Sequence, residues 1–217
     1  GLVIIAILLC FIFVKMPACA TPQSQDDSIG ATFARLFRNK RYRRGVIAQF
    51  FYVGAQIMCW TFIIQYGTRI FMAEGMTEID AEVASQKYNI IAMICFCLFR
   101  FVCTFLMRYI NPARLLSLFA AIATLLTLCV IFIDGRLGLY ALVAISLCMS
   151  LMFPTIYGLA LHKTGNDAKI GAAGLIMAIL GGSVLPPLQA SIIDANVIAG
   201  LPAINLSFVL PLICFLV

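Results

Sequence analysis

The chain has 217 residues, 63% of them hydrophobic and only 11% charged, with a mean hydropathy of +1.06, a composition outside the range of water-soluble domains. Fifteen Lys and Arg against nine Asp and Glu give a net charge of +6; the cations cluster between apolar runs, which reads as membrane topology and excludes a nucleic-acid-binding surface. One histidine and nine cysteines without a CxxC pair offer little to a zinc site or a disulfide framework, and the eight cysteines inside apolar runs read as small hydrophobes.

A helical span needs about 20 mostly apolar residues. Segments 1–16, 45–72, 86–108, 114–133, 137–161, 169–193 and 201–217 meet or approach that requirement, so the expected fold is an all-α integral membrane protein. The first run has no basic leader and no small-residue cleavage site, and reads as a span, not a signal peptide. Because the sequence opens and stops inside apolar runs, it is expected to be a fragment. Residues 1–17 would end the last span of a first bundle, 18–44 would be a long polar loop, and 45–217 would form a second bundle of six spans.

Lys15, the six cations from Arg35 to Arg44, Arg108, Arg114, Lys163 and Lys169 fall on one side of this map, against Arg69, Lys87 and Arg136 on the other. The positive-inside rule makes the first side, and the loop 18–44, cytoplasmic. Within the loop, "FARLFRNKRYRR" places Phe33, Leu36 and Phe37 at helical spacing among cations. That pattern suits an amphipathic helix on an anionic leaflet and equally a plain linker carrying topogenic charge.

The 45–72 span carries Gln49, Tyr52, Gln56 and Trp60 at steps of three and four, one polar and aromatic stripe along a helix. On the outer side, "MTEIDAEVASQ" pairs Thr77 with Asp80 in a capping-box spacing and reads as a short external helix.

The 86–108 span sets the main question. Arg100 lies in "CLFRFVCTFLM" with no other charge from 88 to 107. It sits about 12 Å along the helix from Arg108, near the middle of a hydrocarbon layer about 30 Å thick. A guanidinium keeps its proton there at a cost of at least about 2.5 kcal/mol. Gln86, Asn89, Met93, Cys97 and Thr104 share its face. Arg100 either bonds carbonyls to hold helices together or faces a water-filled cavity, and the polar stripe favours the cavity. No Asp or Glu lies inside the later spans, so its counter-charge is expected from a carboxylate outside this chain.

Two later spans carry breaks. "SLCMSLMFPTIYG" holds Pro154, which removes a backbone hydrogen bond, with Ser146, Ser150 and Tyr157 near its face. "GAAGLIMAILGGSVLPPLQA" places Gly174, Ala178 and Gly182 four apart, followed by Pro186 and Pro187. That is a small-residue seam suited either to ordinary close packing or to gating.

Taken together, "AQFFYVGAQIMCWTFIIQYGTR", "MSLMFPTIYGLAL" and "GAAGLIMAILGGSVLPPLQASIID" resemble the fucose permease branch of the major facilitator superfamily, in its second half. The resemblance implies twelve spans in two six-helix bundles in the bacterial inner membrane. It also implies a central sugar site and alternating access driven by proton symport, with no cofactor beyond the coupling proton. The proton-carrying acids would belong to the N-terminal half. Relatives that carry glucose, galactose or acetylated amino sugars tend to have Glu where this chain has Gln56, which makes it more similar to the fucose carriers. The expected sugar contacts are Gln56, Tyr52, Asn89, Arg100 and Tyr157, amides pairing with hydroxyls and rings covering the apolar face of a sugar. Pro154, Gly174, Gly182, Pro186 and Pro187 are expected to serve gating and packing. A membrane enzyme would need a nucleophile with its base, or a metal cluster, and the sequence offers neither; a non-transporting sugar sensor stays open.

Overall fold

The structure, a computed structural model, describes residues 29–217 apart from 134, 163, 195, 196, 199 and 200. The expected first span and the start of the loop therefore lie outside the described residues. Helix α1 spans Ile29–Arg38 and α2 spans Lys40–Ala73, separated by Asn39, whose side chain accepts from Arg41 N at 3.0 Å and caps α2. The other long helices are α3 (Glu78–Leu106), α4 (Pro112–Phe132) and α5 (Arg136–Leu161). Next come α6 (Ala168–Met177), a 3-10 turn at Ala178–Leu180 and α7 (Gly181–Ile193), which together make one span of 26 residues. Among the described residues five spans are long and apolar enough to cross a membrane.

The last expected span is broken. A two-residue hairpin, β1 (Val197–Ile198) with β2 (Leu201–Pro202), leads into α8 (Ala203–Ser207) and α9 (Val209–Leu216). The expected external helix is not separate either. Thr77 caps α3, accepting from Asp80 N at 3.3 Å and donating to the Asp80 carboxylate at 2.7 Å, and with no breaker after it the helix runs on into the membrane.

Helix α2 is the centre, packed by α3, α5, α7 and α9. Its partners approach closely where side chains are absent. A Cβ at Gly45 would strike Ala160 of α5, one at Gly54 would strike Leu185 of α7, and one at Gly181 would strike the Phe50 carbonyl. The seam anticipated at Gly174, Ala178 and Gly182 does face α2, with Gly174 against the Tyr42 hydroxyl and Gly182 against Val53 and Ile57. Because Gly174 meets Tyr42 while Gly181 meets Phe50, the α6–α7 span runs parallel to α2.

A satellite core of Leu36, Tyr42, Ala160 and Leu175 lies apart from the main one. Its Tyr42 hydroxyl donates to the Gly171 carbonyl at 2.9 Å. Helix α1 docks there through Thr32 and Leu36, 4% and 3% exposed, so part of its apolar face is turned to protein while Phe37 stays 47% exposed. Arg35 donates two hydrogen bonds to Asp167, at 2.6 and 2.8 Å, and holds that carboxyl below its ordinary range. At the opposite end Arg136 grips Glu74 in the same bidentate way and lies over the Phe71 ring.

Candidate functional site

Arg100 is exposed on α3, and among the described residues its guanidinium makes no hydrogen bond or ion pair. Gln86, Met93, Cys97 and Thr104 are exposed beside it, whereas Ser85, Ala92 and Cys103 bury the neighbouring face against the bundle. The polar stripe therefore borders the packed face of α3 and is open in this bundle. An ionised group left unpaired at membrane depth must be solvated by water or by a partner.

Two contacts set the level of Arg100. Cys103 Sγ lies 3.6 Å from Ser150 Oγ, and Thr155 donates to the Met107 sulfur at 3.7 Å, so α3 and α5 run parallel with Arg100 near Ser146. Trp60 of α2 reaches that level from the other side: its Nε1 donates to Ser146 Oγ at 3.3 Å and its ring meets Phe96 edge-on at 5.1 Å. Gln56, one turn away from Trp60, is half-buried. This loose cluster puts Trp60 one turn from Gln56 along α2 and, through Phe96, one turn from Arg100 along α3, an amide, a partly open indole and a guanidinium suited to a polyhydroxylated ligand.

The other expected contacts are not brought to that cluster. Asn89 precedes Arg100 by eleven residues, about 16 Å along α3 toward its N-terminus, and its Oδ1 is buried without a partner among the described residues. Tyr157 lies about three turns beyond Ser146 toward the C-terminus of α5 and packs on the satellite core. Tyr52 is 3% exposed, and its hydroxyl donates to the Met149 carbonyl at 2.7 Å. Its ring lines an apolar trough of about 630 Å³ with Leu116, Thr124 and Cys214. The Tyr52 hydrogen bond is thus spent on packing. One sugar ring, about 6 Å across, touches only part of this set.

Pro154 lies inside α5, and Pro186 and Pro187 inside α7, without ending either helix. The span that carries the seam breaks instead at the 3-10 turn Ala178–Leu180, a feature that no proline or glycine within the turn announces. Two polar groups outside the expected set also stand out. Gln49 is fully buried, with neither side-chain atom partnered among the described residues. Asn205 is buried, accepting from Arg69 Nη1 at 3.0 Å and donating to the Val130 carbonyl at 3.4 Å, which ties α8 to α2 and α4.

Comparison with known proteins decides the fold. A crystal structure of a major facilitator superfamily transporter, FucP, in the outward conformation superposes on 99% of this chain and 50% of its own length, with a TM-score of 0.83 and 33% identity. The chain has the fold of the second half of that transporter. The L-fucose-proton symporter of Haemophilus influenzae is 49% identical over all 217 residues, which make up 49% of its length. A glucose/galactose transporter of Brucella abortus is 31% identical over 197 residues, 89% of this chain and 45% of that protein. The chain spans about half the length of the curated relatives it matches. No protein-family profile matches it. With this likeness and five apolar spans among the described residues it is a multi-pass membrane protein, and the open stripe of α3 is a surface of this bundle.

Proposed function

We propose that this bundle is the second half of a proton-coupled importer of L-fucose in a bacterial inner membrane, with the linker before α2 cytoplasmic. The observation that carries the reading is Arg100, a guanidinium unpaired among the described residues, exposed in the middle of the apolar span α3 and one turn from the Phe96 ring that meets Trp60. The symporter relative at 49% identity supports the substrate, as does an amide at Gln56. In the resting state a carboxylate of the N-terminal bundle pairs with Arg100. Protonation of that acid releases the guanidinium to bond sugar hydroxyls, and the loaded protein reorients, so proton and sugar cross together. Asn89 and Tyr157 would meet the sugar outside and inside this level, on its way in and out, and Pro154, Gly174, Gly182, Pro186 and Pro187 would serve the reorientation. No chemistry is performed on the sugar, and no cofactor beyond the proton enters the cycle.

The test is uptake of labelled L-fucose by the full-length protein in liposomes, with and without an inward proton gradient, against excess D-glucose. Gradient-driven accumulation that glucose leaves intact is expected. Suppression by glucose would move the substrate to the hexoses carried by the relative at 31% identity, and sugar binding without accumulation would identify a sensor.

A further inference from the structure

Gln49 is costly to bury. It is fully buried, and neither its Oε1 nor its Nε2 has a partner among the described residues. Each such group carries its full desolvation penalty, and a native protein retains one only for a reason.

Its position supplies the reason. On α2, Gly45 and Tyr52 face α5, through Ala160 and the Met149 carbonyl, whereas Phe50 and Val53 face α7, through Gly181 and Gly182. At 100° per residue Gln49 falls between those two directions, so it points into the crevice where α5 and the α6–α7 span converge on α2. The walls of that crevice are weak at this level. Matching Gly174 with Tyr42 and Gly181 with Phe50 puts Gln49 beside the 3-10 turn Ala178–Leu180, where the span already departs from α-helical bonding. Matching Gly45 with Ala160, and Tyr52 with Phe153, puts it level with Ile156 and Tyr157, less than one turn beyond Pro154. A buried amide without partners thus lies between the two breakable stretches of its neighbours.

We propose that Gln49 is a positioning residue for transport: its stranded amide raises the free energy of the closed crevice and gains water when α5 and α6 part from α2, so that closure stays reversible. This rests on the transporter reading, and it assigns Gln49 to the reorientation step, not to sugar recognition. A side chain that fills the space without polar atoms should lock the crevice.

The test compares the full-length protein with its Gln49→Leu and Gln49→Met variants in melting temperature and L-fucose uptake. Removing the stranded groups is expected to raise the melting temperature by about 2–8 °C and to lower the maximal uptake rate about tenfold with KM unchanged. A melting temperature equal to or below that of the unmodified protein would overturn the proposal, because the amide would then be satisfied at rest. A raised KM at an unchanged maximal rate would also overturn it, making Gln49 a sugar contact. If the unmodified protein fails to accumulate L-fucose, the substrate reading falls while the melting comparison still reports on the amide. Gln49→Cys in a cysteine-free full-length protein then replaces uptake. Slow labelling at rest by a water-soluble maleimide, several-fold faster when the proton gradient is applied, supports the opening, and equal rates refute it.

Discussion

Replacing Gly181 by alanine tests the central contact of the bundle. The added Cβ would overlap the Phe50 carbonyl oxygen and lie 2.8 Å from its carbonyl carbon. Both are backbone atoms of α2, so no rotamer change relieves the clash and α7 must move away. That movement loosens the neighbouring contacts of Gly182 with Val53 and Ile57 and of Leu185 with Gly54. Overpacking of this kind costs about 1–3 kcal/mol, and a rigid backbone obstacle places it at the upper end. For a chain of this size about 3 kcal/mol lowers the melting temperature by about 6–12 °C. Gly158→Ala is the control: nothing lies within 4 Å of a Cβ there, and alanine is the better helix residue by about 0.5–1 kcal/mol. Melting in detergent, followed by loss of the monodisperse peak in fluorescence-detected size exclusion, reads both. A Gly181→Ala protein melting within about 1 °C of the unmodified one would refute the close approach of α7 to α2.

Arg100→Ala should abolish gradient-driven accumulation and Arg100→Lys should retain little of it, since a point ammonium lacks the planar fork of guanidinium; active uptake like that of the unmodified protein by Arg100→Ala would remove the residue from the mechanism. Gly174→Ala places its Cβ against the Tyr42 hydroxyl and should lower the melting temperature, and Tyr42→Phe, by deleting that hydroxyl, should recover part of the loss in a double-mutant cycle. Strict additivity of the two would show that the side chains do not meet. Asp167 has its pKa lowered by the Arg35 hydrogen bonds, so its contribution is present above the ordinary carboxylate value near 4 and is lost as pH falls through the lower folded value. Hydrogen exchange in α1 should therefore be constant from pH 7 to about 5 and rise only below about pH 4. Loss of protection already near pH 6 would assign the docking of α1 to another group.

The fold class was legible because twenty-residue apolar runs have few physical solutions, and clusters of charge bracket them. Arg100 was legible for the same reason: one charge in a long apolar run has to be explained. The position of Tyr52 was not. Period alone puts it on a stripe with Gln56, but the stripe is wide, and Tyr52 lies at the edge where its hydroxyl meets the Met149 carbonyl. The break at Ala178–Leu180 gave no signal, since alanine, isoleucine and leucine are acceptable helix residues and the turn arises from packing on α2. Gln49 was visible as a member of the stripe, but the state of its amide depends on α5 and α7, which no local pattern encodes.

The central place of α2 also sets a schedule. The Met149 carbonyl that receives the Tyr52 hydroxyl lies 97 residues further along the chain, and the Gly171 carbonyl that receives Tyr42 lies 129 residues further. At about 5–20 residues per second of synthesis, those acceptors emerge about 5–26 s after their donors. During that interval α2 lacks the α5 and α6 carbonyls that receive its hydroxyls, and those groups have to be hydrated or held by other partners. Arrival of α5 ends the interval for Tyr52, so defects in α5 should strand a half-assembled bundle and reduce the amount of protein in the membrane before they alter its transport rate.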